Sequence, residues 1–186
     1  MWSSKACKLL AAHGEVRPQP PSDWRGTFPL PSALVNYYDL VGPVDITIEG
    51  YGNAYFLPSL ARLWDFQAGY RWNGLSGEPI ADWADDWLVI ADQGGDAFIF
   101  DRASSKVLFA YHGEGVWEPE EWFPDVAAMA ACLATLGSVI RAARHDFTDA
   151  DCYVKPGHRA RALIEIAEVL GSRSKAEAIL AASGWG

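Results

Sequence analysis

The chain has 186 residues, half of them apolar, and a formal net charge of −9. A chain of this length and apolar content can bury one core without disulfides or metal ions, so its composition argues against disorder. The acidic excess disfavours binding to nucleic-acid phosphates and favours a basic protein partner, although it can also serve solubility alone.

The acidic excess is concentrated in one segment. Residues 78–137 carry twelve acidic and two basic side chains, a net charge of −10, whereas residues 1–77 are neutral and residues 138–186 carry +1. A contact with a basic partner is therefore expected within residues 78–137.

The N-terminal residues predict a short helix and then a proline-rich, extended connector, because proline removes a backbone donor and restricts the residue before it. The folded core is expected to begin near Trp24. We therefore predict an N-terminal piece, 1–23, and one domain, 24–186, in which 138–186 is a C-terminal helical extension.

Targeting and cysteine patterns indicate a cytoplasmic protein. Lys5 and Lys8 interrupt the apolar residues at the start, so no signal-peptide core is expected, and no run reaches the roughly 18 apolar residues of a membrane span. Cys7, Cys132 and Cys152 are too few and too irregularly spaced for a disulfide framework or a zinc site. We expect reduced structural thiols.

Helix and strand patterns alternate before residue 82, with glycine and proline marking the ends. The predicted elements are a helix that opens at Ser32 and stops at Gly42, strands at 44–49 and 54–57, a second helix from Pro58 to Gly69, and irregular or strand-like chain at 70–81.

The clearest local signal is a β-hairpin. Two strand-like runs within 86–101 flank Gly94-Gly95, and glycine adopts the positive φ angles that a two-residue turn requires. A third run at 106–112 extends the meander, which continues through Trp117 and several glutamates to an Ala-rich helix near 125–136.

The remaining sequence predicts helices. The expected elements are a solvated helix entry at 118–121, an amphipathic helix at 157–170 ended by Gly171, and a last helix at 175–182 capped by Ser172 or Ser174. Together these elements predict an α+β fold: an antiparallel sheet of about four to six strands, flanked by helices, with extra C-terminal helices.

Across residues 24–136 the chain resembles the SMI1/KNR4 family, also called the SUKH superfamily of bacterial immunity proteins. The resemblance rests on Leu30-Pro31 opening the helix that ends at Gly42, Leu57–Leu63 in the second helix, Trp87–Asp92 leading into Gly94-Gly95-Asp96, Phe98–Asp101, Val107–His112, and the aromatic and acidic residues before the Ala-rich helix. The chain has Ser104-Ser105-Lys106 where the family often has glycine before lysine, and the tail beyond Gly137 is not required by the family core.

The resemblance implies an α+β immunity fold that binds and neutralises a cognate toxin domain, frequently a nuclease, in interbacterial competition. Some relatives, notably fungal ones, are regulatory interaction proteins. We therefore hypothesise a non-catalytic immunity protein that occludes a basic toxin domain. The alternative is a regulatory or scaffold module of the same fold with an endogenous partner.

Signs of catalysis are few, and we expect no enzyme, cofactor, metal ion, direct nucleic-acid binding or membrane contact. The sequence contains no Gly-x-Ser-x-Gly motif and no glycine-rich phosphate loop before a helix. A hydrolase that uses carboxylates or a metal stays as a minor alternative. Its candidate ligands are His112 with Glu114, and His145 with Asp146, Asp149, Asp151 and Cys152.

The predicted partner-binding surface combines aromatic anchors with acidic residues that attract a basic partner and set specificity. Core packing is an equally plausible role for each tryptophan alone. The predicted binding residues are Trp72, Glu78, Asp82, Trp83, Asp85, Asp86, Glu114, Trp117, Glu118, Glu120, Glu121 and Trp122.

Overall fold

The computed structural model describes residues 2–185 and confirms an α+β fold. The strands are β1 (Ile46–Ile48), β2 (Tyr55–Leu57), β3 (Trp87–Gln93), β4 (Asp96–Asp101), β5 (Val107–Ala110) and β6 (Glu120–Phe123). The helices are α1 (Trp2–Leu10), α2 (Ser32–Leu40), α3 (Leu60–Leu63), α4 (Val126–Ala143), α5 (Pro156–Leu170) and α6 (Arg173–Ala182). The strands form one antiparallel sheet in chain order.

The β3–β4 hairpin forms around Gly94-Gly95 as the sequence predicts. Gln93 pairs with Asp96 across the turn, and the two glycines have φ angles of 65° and 105°. Glycine is favoured at such angles because it has no Cβ. Asp92 also supports the turn, since its carboxylate accepts a hydrogen bond from the Gly95 amide at 3.2 Å.

The side chain of Gln67 takes the place of a strand neighbour beside β3. The short β2 pairs only with the end of β3, so Val89 has no partner in β2. The buried Gln67 amide donates to the Val89 carbonyl at 2.8 Å and accepts from the Val89 amide at 2.9 Å. Both backbone groups are thereby satisfied, which fixes the chain after α3 against the sheet.

The two faces of the sheet are covered differently. Side chains alternate along a strand, so Leu88 and Phe98 face the core formed with the helices, whereas Val89 and Ile99 face the opposite side. That second face is covered by a mostly aromatic layer, here called the aromatic layer, which comes from the chain before β3, from the first residue of β3 and from the β5–β6 loop. Its members are Phe66, Tyr70, Ile80, Trp83, Trp87 and Trp117.

Both ends of the chain belong to the main core. Leu10 is fully buried where α1 packs against α4, so the core begins before Trp24, contrary to the sequence prediction. Leu180 and Trp185 are also fully buried in this core. The segment after residue 137 is therefore an integral part of the core, because α5 packs against α4 and α6 packs against α5.

Two predicted boundaries are wrong. The expected helix entry at 118–121 overlaps β6, in which Glu120 pairs with Phe109 of β5. The helix expected over 58–69 is only the four-residue α3, followed by a 3-10 turn at 65–67. In β6, pairing with β5 determines the structure, although prolines and carboxylates locally favour a helix start.

Helix α4 begins where predicted and extends beyond residue 136. Its N-cap is Asp125, whose carboxylate accepts a hydrogen bond from the Ala128 amide at 2.7 Å. The stretch Val126–Asp146 is long and apolar enough to cross a membrane, which the sequence analysis did not expect. However, 67% of its apolar window is buried inside the fold, as in the core helix of a soluble protein.

Candidate functional site

Some acidic residues predicted to bind a partner are already engaged within the fold. Asp85 contacts Arg71 at 3.1 Å, and Asp86 contacts Arg102 at 3.0 Å. Both arginines also donate to the backbone carbonyl of Asp85. These two carboxylates therefore hold the chain at the start of β3 in place. A partner that bound either of them would have to break its ion pair with arginine.

Two further predicted residues also have internal partners. The carboxylate of Glu121 pairs with Lys106 and lies 3.9 Å from Lys175 of α6. The hydrogen bond from Lys106 keeps the pKa of Glu121 below its usual value. Asp82 accepts a hydrogen bond from the Trp117 amide at 2.8 Å, which joins the chain before β3 to the β5–β6 loop.

The other four predicted carboxylates are exposed and unpaired. Within residues 2–185, Glu78, Glu114, Glu118 and Glu120 form no ion pair and accept no hydrogen bond with their side chains. Glu114, Glu118 and Glu120 line one cleft, whereas Glu78 lies on a separate loop. The structure thus brings three unpaired carboxylates together.

This acidic cleft has a volume of about 290 Å³ and lies between β5, β6, their connecting loop and the end of α6. Its aromatic wall contains Phe109 stacked on Trp122, with ring centroids 3.9 Å apart and planes 22° apart. Tyr111 completes the wall and donates its hydroxyl to the Ala182 carbonyl at 3.2 Å. The cleft therefore lies beside the C-terminal end of a helix, where the helix dipole favours cations.

The electrostatic environment of the cleft also favours positive charge. Partial burial raises the pKa of the Tyr111 phenol, and the charges of Asp96, Glu114 and Glu120 raise it further. These carboxylates disfavour a phenolate anion, so they favour a cation at the same place. An ammonium or guanidinium group could also contact the aromatic faces.

A second cleft, of about 250 Å³, also has Tyr111 in its lining. Its apolar lining comes from Ile80, Val116 and Trp117, and Asp82 also lines it. Because the two clefts share Tyr111, an acidic and an apolar recess are adjacent on one surface. We refer to them as the acidic cleft and the apolar cleft.

The predicted tryptophans do not act together as exposed anchors. Trp83 is only 7% exposed and packs 5.3 Å from Trp117 in the aromatic layer, so it offers little surface to a partner. Trp72 packs 5.0 Å from Trp64. Of the four predicted anchors, Trp122 lines the acidic cleft and Trp117 lines the apolar cleft.

The sequence did not indicate which apolar side chains are exposed, and three of these lie within residues 71–120. Tyr111 is 44% exposed, Val116 is 51% exposed, and Leu75 is 101% exposed at the tip of a loop. Tyr111 and Val116 flank two glycines in the β5–β6 connection, and this pattern of apolar residues in a glycine-rich loop could have indicated exposed contacts.

The residues considered for a metal site have local roles. No group of three or more His, Cys, Asp or Glu side chains in the described part of the chain is arranged to hold a metal ion. His112 contacts Asp96 at 2.6 Å. The Asp149 carboxylate accepts hydrogen bonds from the amides of Asp151 and Tyr153, both at 3.0 Å. The first contact joins the start of β4 to the residues after β5, and the bonds to Asp149 shape a local turn.

Comparison of the chain with protein-family models, with curated proteins and with solved structures gives no match. Unpaired carboxylates beside aromatic faces can bind a cation reversibly.

Proposed function

We propose that this chain is a cytoplasmic, non-catalytic immunity protein of the SMI1/KNR4 type that neutralises a basic, nuclease-type toxin domain. The observation that carries the proposal is the acidic cleft, where Glu114, Glu118 and Glu120 lack internal partners beside Trp122. The family resemblance across residues 24–136 and the charge of −10 over residues 78–137 support it.

The proposed mechanism is occlusion. A stable complex needs an interface of about 1600 Å² in total, of which the acidic cleft would form the centre. Its carboxylates can pair with a partner's lysine or arginine without breaking an existing ion pair, whereas Asp85 and Asp86 cannot. The wider acidic surface would accelerate association by about 10- to 1000-fold.

The experiment uses the whole chain to capture its partner from source-cell lysate at several salt concentrations, with mass-spectrometric identification. The test variant is Glu114→Gln/Glu118→Gln/Glu120→Gln. The matched control is Asp85→Asn/Asp86→Asn/Glu121→Gln, which removes the same number of charges from paired sites, so both variants change the net charge from −9 to −6.

We expect one basic partner, released as salt rises, whose toxicity in cells is suppressed by co-expression of the chain. The cleft variant should bind it at least about tenfold more weakly at low salt, and the control variant less than about threefold more weakly. Equal losses would show that only total charge matters. A partner without toxicity would instead support the regulatory or scaffold alternative.

A further inference from the structure

The two clefts beside Tyr111 differ in chemistry and open on the same surface. The acidic cleft has unpaired carboxylates and the ring of Trp122, whereas the apolar cleft has Ile80, Val116 and Trp117. Tyr111 lines both. A ligand that fills both clefts must therefore present a cation and an apolar group close to each other, with Tyr111 beside both.

The walls of both clefts are held in place by the fold. Tyr111 donates to the end of α6, and the His112 amide donates to Asp96 at 2.9 Å. At the other end of the loop, the Trp117 amide donates to Asp82 at 2.8 Å. Because these bonds already restrain the loop, a ligand would lose less binding free energy to ordering it.

We propose that the two clefts together bind an extended segment of a protein partner, with a basic side chain in the acidic cleft and an apolar side chain in the apolar cleft, two residues apart. This inference rests on the proposed function, and it specifies what the basic partner presents. Alternate side chains of an extended chain lie on one face about 7 Å apart, so one peptide can straddle Tyr111.

Charge complementarity selects this occupant. A second copy of the chain carries a net charge of −9 and would bring its own carboxylates toward the cleft. A basic side chain instead gains three carboxylates and the ring of Trp122. The exposed half of the Val116 side chain offers an apolar contact next to the bound basic side chain.

The clefts can be monitored separately because each contains one indole. Indole N–H signals of the full chain are recorded by NMR and assigned with Trp122→Phe and Trp117→Phe. The probe is a capped pentapeptide, Gly-Arg-Gly-Leu-Gly. Control peptides replace Arg by Glu, replace Leu by Gly, or place Arg and Leu next to each other.

We expect the probe to shift both indole signals with one binding constant. Replacing Arg by Glu should weaken binding about tenfold, and replacing Leu by Gly should abolish the shift at Trp117. The Glu114→Gln/Glu118→Gln/Glu120→Gln variant should lose the shift at Trp122, and Val116→Ser the shift at Trp117. Leu75→Ser removes a side chain that is still more exposed than Val116 and lines neither cleft, so it should bind the probe normally.

The inference is overturned if neither indole responds up to about 10 mM probe, or if the adjacent-residue peptide binds equally well. It is also overturned if Leu75→Ser weakens binding as much as Val116→Ser. If the captured partner is a basic toxin whose binding the cleft variant weakens, but neither indole responds to the probe, the proposed function stands and this inference fails. If the probe binds as expected but the captured partner is not a toxin, the proposed function fails instead.

Discussion

Substitution of Gly137 tests the packing of α4 against the edge of the sheet. A Cβ atom at this position would lie 2.2 Å from Cγ2 of Ile48 in β1, and 3.0 Å from both the Glu49 carbonyl oxygen and the His13 ring. Contacts below 3 Å require the neighbours to move. We therefore expect Gly137→Ala to destabilise the protein, although alanine is the better helix former.

The size of the effect follows from how little the neighbours can move. Ile48 is fully buried, and the His13 ring bonds the Ala134 carbonyl at 2.9 Å and the Ser138 hydroxyl at 3.0 Å. Overpacking at such a site lowers the free energy of unfolding by about 3 kcal/mol, whereas the better helix propensity of alanine raises it by about 1 kcal/mol. The expected net loss is about 2 kcal/mol, or about 4–8 °C in Tm for a chain of this size.

The measurement is denaturant unfolding of Gly137→Ala beside the control Gly157→Ala. Gly157 lies in the first turn of α5, and a Cβ there would meet nothing within 4 Å. The control should therefore be slightly stabilised, by about 0.5 kcal/mol. Equal stability of the two variants would refute the close approach of α4 to β1.

Other predictions concern single buried or capping groups. Gln67→Leu should lower the free energy of unfolding by about 2–3 kcal/mol in denaturant titrations, because the Val89 amide and carbonyl lose their partner; a loss below about 0.5 kcal/mol would contradict this role. Asp125→Ala should cost about 1 kcal/mol and Asp125→Asn much less, since asparagine also caps helices. Burial raises the pKa of Asp92 above its usual 3.8, so its contribution to stability is full below about pH 3.8 and is lost as pH rises through the raised value. Asparagine does not ionise, so the difference in unfolding free energy, Asp92→Asn minus the unchanged protein, should increase as pH rises above about 3.8. A difference that stays constant with pH would refute the pKa shift.

Local patterns were sufficient for the elements whose structure is determined locally. The glycine turn at 94–95, the left-handed Gly171 after α5 and the cap of α6 at Ser172, one of the two serines proposed for it, lie where the sequence predicts them. Strand β6 was missed because Pro119 and Glu120 locally resemble a helix entry, while the bonds that make it a strand come from β5. The core role of α1 likewise depends on α4, more than a hundred residues away.

The composition of the candidate site was only partly predictable. Its acidic and aromatic residue types were apparent from the sequence. Which carboxylates form internal ion pairs and which stay unpaired, however, depends on residues far away in the sequence. Lys175 of α6 approaches Glu121 only because the C-terminal helices pack beside β6. The role of Tyr111 also depends on the fold, since its hydroxyl bonds the end of α6. No spacing in the sequence separates Glu120 from Glu121, although one lines the cleft and the other is paired.

The unpaired state of the cleft carboxylates has a consequence that can be tested without a partner. Glu114, Glu118 and Glu120 gain no internal ion pair and repel one another, so neutralising them should leave Tm unchanged or raise it. The Asp85→Asn/Asp86→Asn/Glu121→Gln variant loses four ion pairs at the same net charge, because Glu121 pairs with both Lys106 and Lys175, and should have the lower Tm. The difference should shrink as salt screens both effects. If the cleft variant is instead the less stable of the two, these carboxylates have partners within the folded chain, and the cleft does not hold free charge for an external cation.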